Sequence, residues 1–479
     1  MNQRAIPFYF LLLFSILFCV NCTEKASQPA AELWLSTRDG QLKFQRQSEP
    51  ILFDQSNRAT EKILEVNPAV RYQTMDGFGF SLTGGSAYHI HRLDDVTRAA
   101  LLEELFATQD TNIGISYLRV SIGASDLDDH VFSYNDLPSG ETDPDLVNFD
   151  LGPDKVHLIP LLKEILAVNP SIKIMGSPWS PPVWMKDNQH SIGGSLLPEF
   201  YESYANYFVK YIQAMEAEGI PIDAITVQNE PLHPGNNPSL LMLAKDQAEF
   251  IKHHLGPAFE ANQIETKIVI YDHNADRIDY PLEILADPEA AQYVDGSAFH
   301  LYGGEIEALS QVHEAHPDKN LYFTEQWVGA PGKFEDNFPW HIKNLIIGAS
   351  RNWCKTVLEW NLAADPNQDP HTEGGCTRCL GALTIGDEVT RNVAYYIVAH
   401  ASKFVRPGSV RIDSNELTGL PNVAFETPDG KMVLIVMNES GEEQEFTLKQ
   451  EGHTATVQLN AGDVATYVWQ LVQKKGITD

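Results

Sequence analysis

The sequence predicts a (β/α)8 barrel with an attached all-β sandwich built from both chain ends. Two observations predict it: apolar or β-branched runs alternate with helical patterns through the middle of the chain, and short alternating strands lie at both ends. Each run closes on polar or aromatic residues. In order they are MDGFGFSLT (75–83), ISYLRVSIG (115–123), IKIMGSPWS (172–180), DAITVQNEP (223–231), KIVIYDHN (267–274), GSAFHLYGG (296–304), LYFTEQW (321–327) and TVLEWNLA (356–363). Between them fall helical patterns: VTRAALLEELF (96–106), HLIPLLKEILA (157–167), FYESYANYFVKYIQAMEAE (200–218), AKDQAEFIKHHLG (244–256) and WHIKNLIIGASRNW (340–353). Eight repeats over roughly 325 residues have the size and rhythm of this barrel. A doubly wound open sheet would more often carry a glycine fingerprint after its first strand, and GFGF followed by SLTGG lacks the G-x-G-x-x-G spacing.

Beyond residue 405 the texture changes to short alternating strands, such as KMVLIVMNES and TATVQLNAGDVATYVW, broken by DG, SG and AG turns. AELWLSTRDG and LKFQRQ, near residues 31–46, share that texture and need partners, which places them in the same sandwich. The expected organisation is a leader at 1–22, a barrel at 70–404, and a sandwich from 31–69 plus 405–475.

The chain has 479 residues and a formal net charge of −31, from 65 Asp+Glu against 34 Lys+Arg. That balance argues against nucleic acid or an anionic membrane as the main partner, since a phosphate backbone is bound through basic surface. Hydrophobic residues at 43% and aromatics at 10% exclude a disordered acidic protein. A neutral, hydroxyl-rich ligand stays compatible.

At the N-terminus, Arg4 precedes a 15-residue apolar run, Ile6 to Val20, the length of a signal-peptide core and short for a membrane span. The run ends near Cys22 and so resembles a bacterial lipoprotein signal, in which that Cys is lipidated; Asn21 stands where a small residue is usual. The resemblance implies an exported protein at the outer membrane, cell surface or periplasm, touching membrane only through its N-terminal lipid. Ordinary cleavage nearby, giving a secreted protein, is the alternative. Export permits disulfides. Cys376 and Cys379 form a single C-x-x-C, which lacks the second pair a zinc site normally needs and fits a local loop disulfide. Nothing demands a metal or a cofactor.

In a barrel, catalytic groups gather where the strands end. Glu230 in ITVQNEP and Glu325 in YFTEQW each follow an apolar run, at the fourth and seventh strands. Paired carboxylates on a barrel rim are what glycoside hydrolysis requires: one donates a proton to the leaving oxygen, the other is nucleophile or base. Glu230 as the donor should have a raised pKa, because Glu325 places negative charge beside it. Asp272, ending the fifth strand, is a candidate sugar contact. Gln228 and His273 lie near the rim, where strand-end hydrogen bonding explains them equally well. His89 and His91 form a His-x-His several residues past the first strand and read as a packed or solvated pair. His253 and His254 face different directions on a helix and share no ligand role.

The chain resembles glycoside hydrolase family 30, which includes the acid β-glucosylceramidases, over nearly its whole length from about residue 33 to 472. The stretches that carry the resemblance are QTMDGFGFSLTGGSA (73–87), YLRVSIGASDLDD (117–129), MGSPWSPPVWMKDN (175–188), TVQNEP (226–231), FHLYGG (299–304), FTEQWVG (323–329), LEWNLAADP (358–366) and HASKFVRPGS (400–409). The resemblance implies Glu230 as acid/base, Glu325 as nucleophile, and Asn229 as a contact to the sugar 2-hydroxyl. It implies Asp126, Trp179 and Trp360 around the non-reducing sugar, Arg119 and Tyr302 holding the nucleophile with Tyr302 also at the substrate, and His300 in support. Leu301 departs from the glucosylceramidase pattern, where an aromatic is usual, and GGCTRCLG (374–381) looks like the bacterial and fungal β-1,6-glucanase branch. The expected substrate is therefore β-1,6-glucan or its oligosaccharides, cleaved with retention. Glucosylceramide, simple β-glucosides and β-xylosides are the alternatives within that chemistry, and a carbohydrate-binding surface lipoprotein without catalysis is the alternative outside it.

Overall fold

The computed structural model describes Met1 and residues 29–54 and 59–470. The leader expectations, including Arg4, the run Ile6 to Val20 and Cys22, lie outside the described residues. Among the described residues no helix is long and apolar enough to cross a membrane.

Eight strands close a barrel: β1 Gly77–Ser81, β2 Tyr117–Ser121, β3 Lys173–Ser177, β4 Ala224–Thr226, β5 Lys267–Asn274, β6 Val294–His300, β7 Asn320–Glu325 and β8 Cys354–Asn361. Every neighbouring pair is parallel, and β8 returns to β1. The strands are apolar on both faces because helices cover the outside and side chains fill the inside. Helix starts obey local chemistry: Asp94 caps Asp95–Phe106 by accepting from the backbone N–H groups of Val96 and Thr97. The segment read as one helix from residue 244 is an α-helix, Ala244–Phe250, that widens through a π-helical turn, Ile251–Leu255, into Gly256–Ala261.

Strand alternation sets what the interior contains. One layer is largely apolar: Tyr117, Met175, Ala224, Val269, Ala298, Tyr322 and Leu358 pack together. Two residues further along most strands the interior turns polar, at Arg119, Ser177, Thr226, His300 and Thr324, all buried. On β5 the polar residue arrives three positions on. Tyr271 and Asp272 both have positive φ, 72° and 66°, and the β5–β6 pairing jumps from Tyr271 to His273. This bulge leaves Tyr271 packed outside and turns Asp272 inward.

The sandwich takes strands from both chain ends. Ala30–Ser36 pairs antiparallel with Val464–Trp469, and the long strand Ile63–Thr74 pairs with Val410–Ser414 on one side and Gln444–Gln450 on the other. Its core, with Phe53, Leu64, Leu434, Phe446 and Tyr467, is separate from the barrel's. The N-terminal strands thus find their partners in the C-terminal module, as their alternation predicts.

Candidate active site

The C-terminal ends of the barrel strands open into a cleft of about 380 Å³ lined by Asp126, Trp179, Asn229, Glu230, Tyr302, Glu325 and Trp360. A larger cavity of about 940 Å³ lies between barrel and sandwich, lined by Arg351, Arg411 and Asn422 among others.

Arg119 organises the floor of the cleft. Its guanidinium is fully buried and donates to Glu325 Oε2 at 2.7 Å, Asn229 Oδ1 at 2.6 Å and Asp272 Oδ2 at 2.8 Å. Trp179 and Trp360 cover it, with the guanidinium carbon 4.8 and 5.6 Å from their ring centres. Tyr302 Oη donates to the other oxygen of Glu325 at 2.9 Å. Glu325 is therefore clamped at both oxygens by donors that favour its ionised form.

Glu230 sits four residues past β4 with φ 45°, in the left-handed region that costs a residue with a side chain on the order of 1 kcal/mol. The turn is held by its own N–H on the Asp272 carbonyl at 3.0 Å and its carbonyl under the His233 N–H at 2.8 Å. His300 lies beneath both glutamates, with Nδ1 3.3 Å from Glu230 Oε1 and 3.9 Å from Glu325 Oε1. Its Nε2 faces Asp272 Oδ1 at 3.1 Å. Glu230, His300 and Glu325 each present an atom within 4.8 Å of the others. Both His300 nitrogens face carboxylates, an arrangement that favours the protonated ring.

Charge follows this geometry. Burial pulls His300 down, but the Glu325, Asp272 and Glu230 carboxylates outweigh it and push the ring up to about 9. Burial pushes Glu230 up, yet the hydrogen bond and charge of His300 outweigh burial and hold it below the ordinary glutamate range. The raised pKa expected for Glu230 is thereby corrected, because a buried cation stands where only the Glu325 charge was considered. Glu325 is pushed up, since burial exceeds the pull of His300 and Arg119. The two glutamates with Asp272 oppose two cations, so one proton shared by the glutamate pair makes the buried set neutral.

Asp272 does not reach the cleft. It is fully buried and accepts from Arg119, His300, Thr226 Oγ1 at 2.7 Å and Thr324 Oγ1 at 2.6 Å. Burial raises its carboxyl, but Arg119 and these donors hold it well below the usual range. The sugar contact expected of Asp272 is corrected to a counter-ion under the cleft, because the β5 bulge turns its side chain into the closed interior. Gln228 likewise turns away, its Nε2 donating to the Trp179 carbonyl at 2.7 Å. His273 does line the cleft, with Nε2 3.7 Å from Glu230, and burial lowers it to about 4. His89 and His91 diverge, to the Asp369 carbonyl and to His157. His253 pairs with Glu249 while His254 packs on Tyr201.

The structure adds residues that sequence reasoning passed over. Trp327, His233, Asn236 and Asn274 line the cleft, as do Cys376 and Cys379, which form the disulfide expected of the C-x-x-C. Thr226 and Thr324 lie at inward positions one layer below the glutamates, a placement strand alternation alone would have flagged. Trp327 lies two residues past Glu325 in the quoted FTEQWVG.

An (β/α)8 barrel with two glutamates clamped at the ends of its fourth and seventh strands defines a glycoside hydrolase. The Glycosyl hydrolase family 30 TIM-barrel domain matches residues 75–405, and the family's β-sandwich domain matches residues 408–467. The chain belongs to glycosyl hydrolase family 30. An endo-1,6-β-D-glucanase of Neurospora crassa is 33% identical over 479 residues, spanning 95% of this chain and 98% of that protein. The lysosomal acid glucosylceramidase of Mus musculus is 30% identical over 450 residues, spanning 87% and 85%. A solved endo-β1,6-glucanase superposes with a TM-score of 0.86 at 35% identity, covering 92% of this chain and all of that one (100%).

Proposed function

We propose that this hydrolase cleaves β-1,6-glucan and its oligosaccharides with retention of configuration, using Glu325 as nucleophile and Glu230 as acid/base. The approach of Glu230 and Glu325 oxygens within 4.8 Å carries the reading. A retaining enzyme holds its carboxyls ~5–5.5 Å apart, whereas an inverting one leaves ~6.5–9.5 Å for a water. Glu325, fixed by Arg119 and Tyr302, attacks the anomeric carbon while Glu230 protonates the departing oxygen. Glu230 then takes a proton from water, which hydrolyses the glycosyl-enzyme ester. The neutralising proton must sit on Glu230 when the first bond breaks. His300 Nδ1–H, within reach of both carboxylates, is the group that redistributes it. Asp126 accepts from sugar hydroxyls, Asn229 meets the 2-hydroxyl, and Trp179 and Trp360 pack on apolar sugar faces.

Three features support β-1,6-glucan over glucosylceramide: the glucanase relatives, Leu301 in place of an aromatic, and the GGCTRCLG loop. The cleft-side loops at 127–150, 232–240 and 328–340 set the leaving-group subsites. Incubation with β-1,6-glucan, xylo-oligosaccharides and glucosylceramide tests this: short β-1,6-linked oligomers are expected, and release of ceramide alone would sink it. Glu230→Gln and Glu325→Gln are each expected to lose turnover of an aryl β-glucoside; parental rates in both would overturn the mechanism.

The apolar run ending near Cys22 supports export with lipidation there. Labelled palmitate in the parent and none in Cys22→Ala is the expected result, and equal labelling would refute it.

A further inference from the structure

The Cys376–Cys379 disulfide has no place in the chemistry above, yet it stands in the wall of the cleft. Two contacts tie it to the sugar-binding residues. The Cys376 N–H donates to Asp126 Oδ2 at 3.2 Å. The Cys379 side chain packs in a cluster with Trp179, Trp360 and Leu127. Cys379 also pairs antiparallel with Gly329, four residues past Glu325, and its carbonyl accepts from Asn361. The loop that carries the disulfide leans on the same acid: the Asp126 carbonyl accepts from the Thr372 N–H at 2.9 Å, and a side chain at Gly375 would meet that carbonyl at 2.5 Å.

Asp126 is otherwise poorly anchored for a buried carboxylate. The Cys376 amide is the one hydrogen bond to its side-chain oxygens among those described outside its own residue, and no cation pairs with it. An acceptor meant to bind sugar hydroxyls needs free lone pairs and a fixed direction at once, and a single backbone donor on a rigid loop supplies both. A four-residue crosslink removes the freedom that would let that amide swing away.

We propose that the Cys376–Cys379 crosslink is a positioning device for the glycone subsite, holding the Cys376 amide on Asp126 and Cys379 against the tryptophan pair, so that glycoside binding depends on the oxidised state of this loop. The proposal rests on the glycosidase reading above, with Asp126 at the non-reducing sugar. A dithiol reductant switches the device: two electrons and two protons pass to the cysteine sulfurs, the S–S bond breaks, and the reductant leaves as its cyclic disulfide.

The test compares oxidised enzyme, dithiol-reduced enzyme, reoxidised enzyme and Cys376→Ser/Cys379→Ser on an aryl β-glucoside. Reduction and the double substitution are each expected to lower kcat/KM on the order of tenfold, chiefly through KM, with reoxidation restoring the reduced sample. The Kd of a non-hydrolysed aryl 1-thio-β-glucoside should weaken in parallel. Repeating the double substitution in an Asp126→Ala background separates positioning from general loosening: the further loss should shrink to under about twofold, because the amide then has no side-chain acceptor to hold. Unchanged kcat/KM and Kd on reduction, or an undiminished loss in the Asp126→Ala background, would overturn the proposal while leaving the glycosidase reading intact. A parent that neither binds nor turns over any β-glucoside would remove both. If the double variant does not fold, the reduction and reoxidation arm of the folded parent decides alone.

Discussion

The hydroxyl of Tyr302 donates to Glu325 Oε1 at 2.9 Å, on the oxygen that Arg119 leaves free. Tyr302 comes from the segment after β6 and Glu325 from the end of β7, so the bond fixes the Glu325 carboxylate across two neighbouring strands. Tyr302 is 40% exposed as a residue, but its hydroxyl points at the buried carboxylates; desolvation there and the charges of Glu325 and Glu230 keep the phenol well above its ordinary pKa, so it stays a donor. Tyr302→Phe is expected to lower kcat/KM about tenfold, the scale of one hydrogen bond to a charged group. Steady-state kinetics on an aryl β-glucoside check it, and an unchanged value would remove Tyr302 from the clamp.

The roles of the two glutamates predict opposite rescue products. In Glu230→Ala, azide should restore turnover of a substrate with a good leaving group and give β-glucosyl azide, because the glycosyl-enzyme still forms. In Glu325→Ala, azide should attack in place of the carboxylate and give the α-azide. NMR of the products reads the configuration, and exchanged outcomes would exchange the roles.

His300 carries the pH dependence. Its folded pKa, about 9, lies above the unfolded value of about 6.5. The ion-pair stabilisation is therefore fully present below pH ~6.5 and is lost as pH rises through about 9. Subtracting the unfolding free energy of His300→Gln from that of the parent should give a difference that declines over this window, by roughly 3 kcal/mol at most. A difference that is flat from pH 6 to 9 would contradict a buried imidazolium.

Asp272→Asn separates a counter-ion from a sugar contact. Loss of a surface sugar contact would raise KM and leave stability alone. Removing the charge beneath Arg119 and His300 instead leaves two buried cations short of a partner, so destabilisation of about 3–5 kcal/mol is expected in urea unfolding, with kcat falling as the clamp loosens. An unaltered midpoint with raised KM would restore the sugar-contact reading.

The fold was legible because its signals are local and repeated. Eight apolar runs separated by helical patterns mark a barrel, and AELWLSTRDG carries the alternation of the sandwich strands with which it pairs. Glu230 and Glu325 were legible because strand ends are where such a barrel does chemistry. The inward turn of Asp272 leaves no mark in the sequence, because a bulge shifts side-chain direction by one residue without changing composition: Tyr271 and Asp272 carry no glycine or proline to mark their left-handed backbone. The lowering of Glu230 is invisible in the sequence because its dominant neighbour, His300, is 70 residues away.

Periodicity and contiguous motifs suffice for the barrel, the sandwich made from two ends, the family, and the two carboxylates at the rim. Which groups share charge depends on how the barrel closes. Closing the barrel brings Arg119, Asp272, His300 and both glutamates, from five different strands or strand ends, into one buried set. In that low-dielectric interior, distances of about 3 Å rather than sequence neighbours govern which group holds the proton.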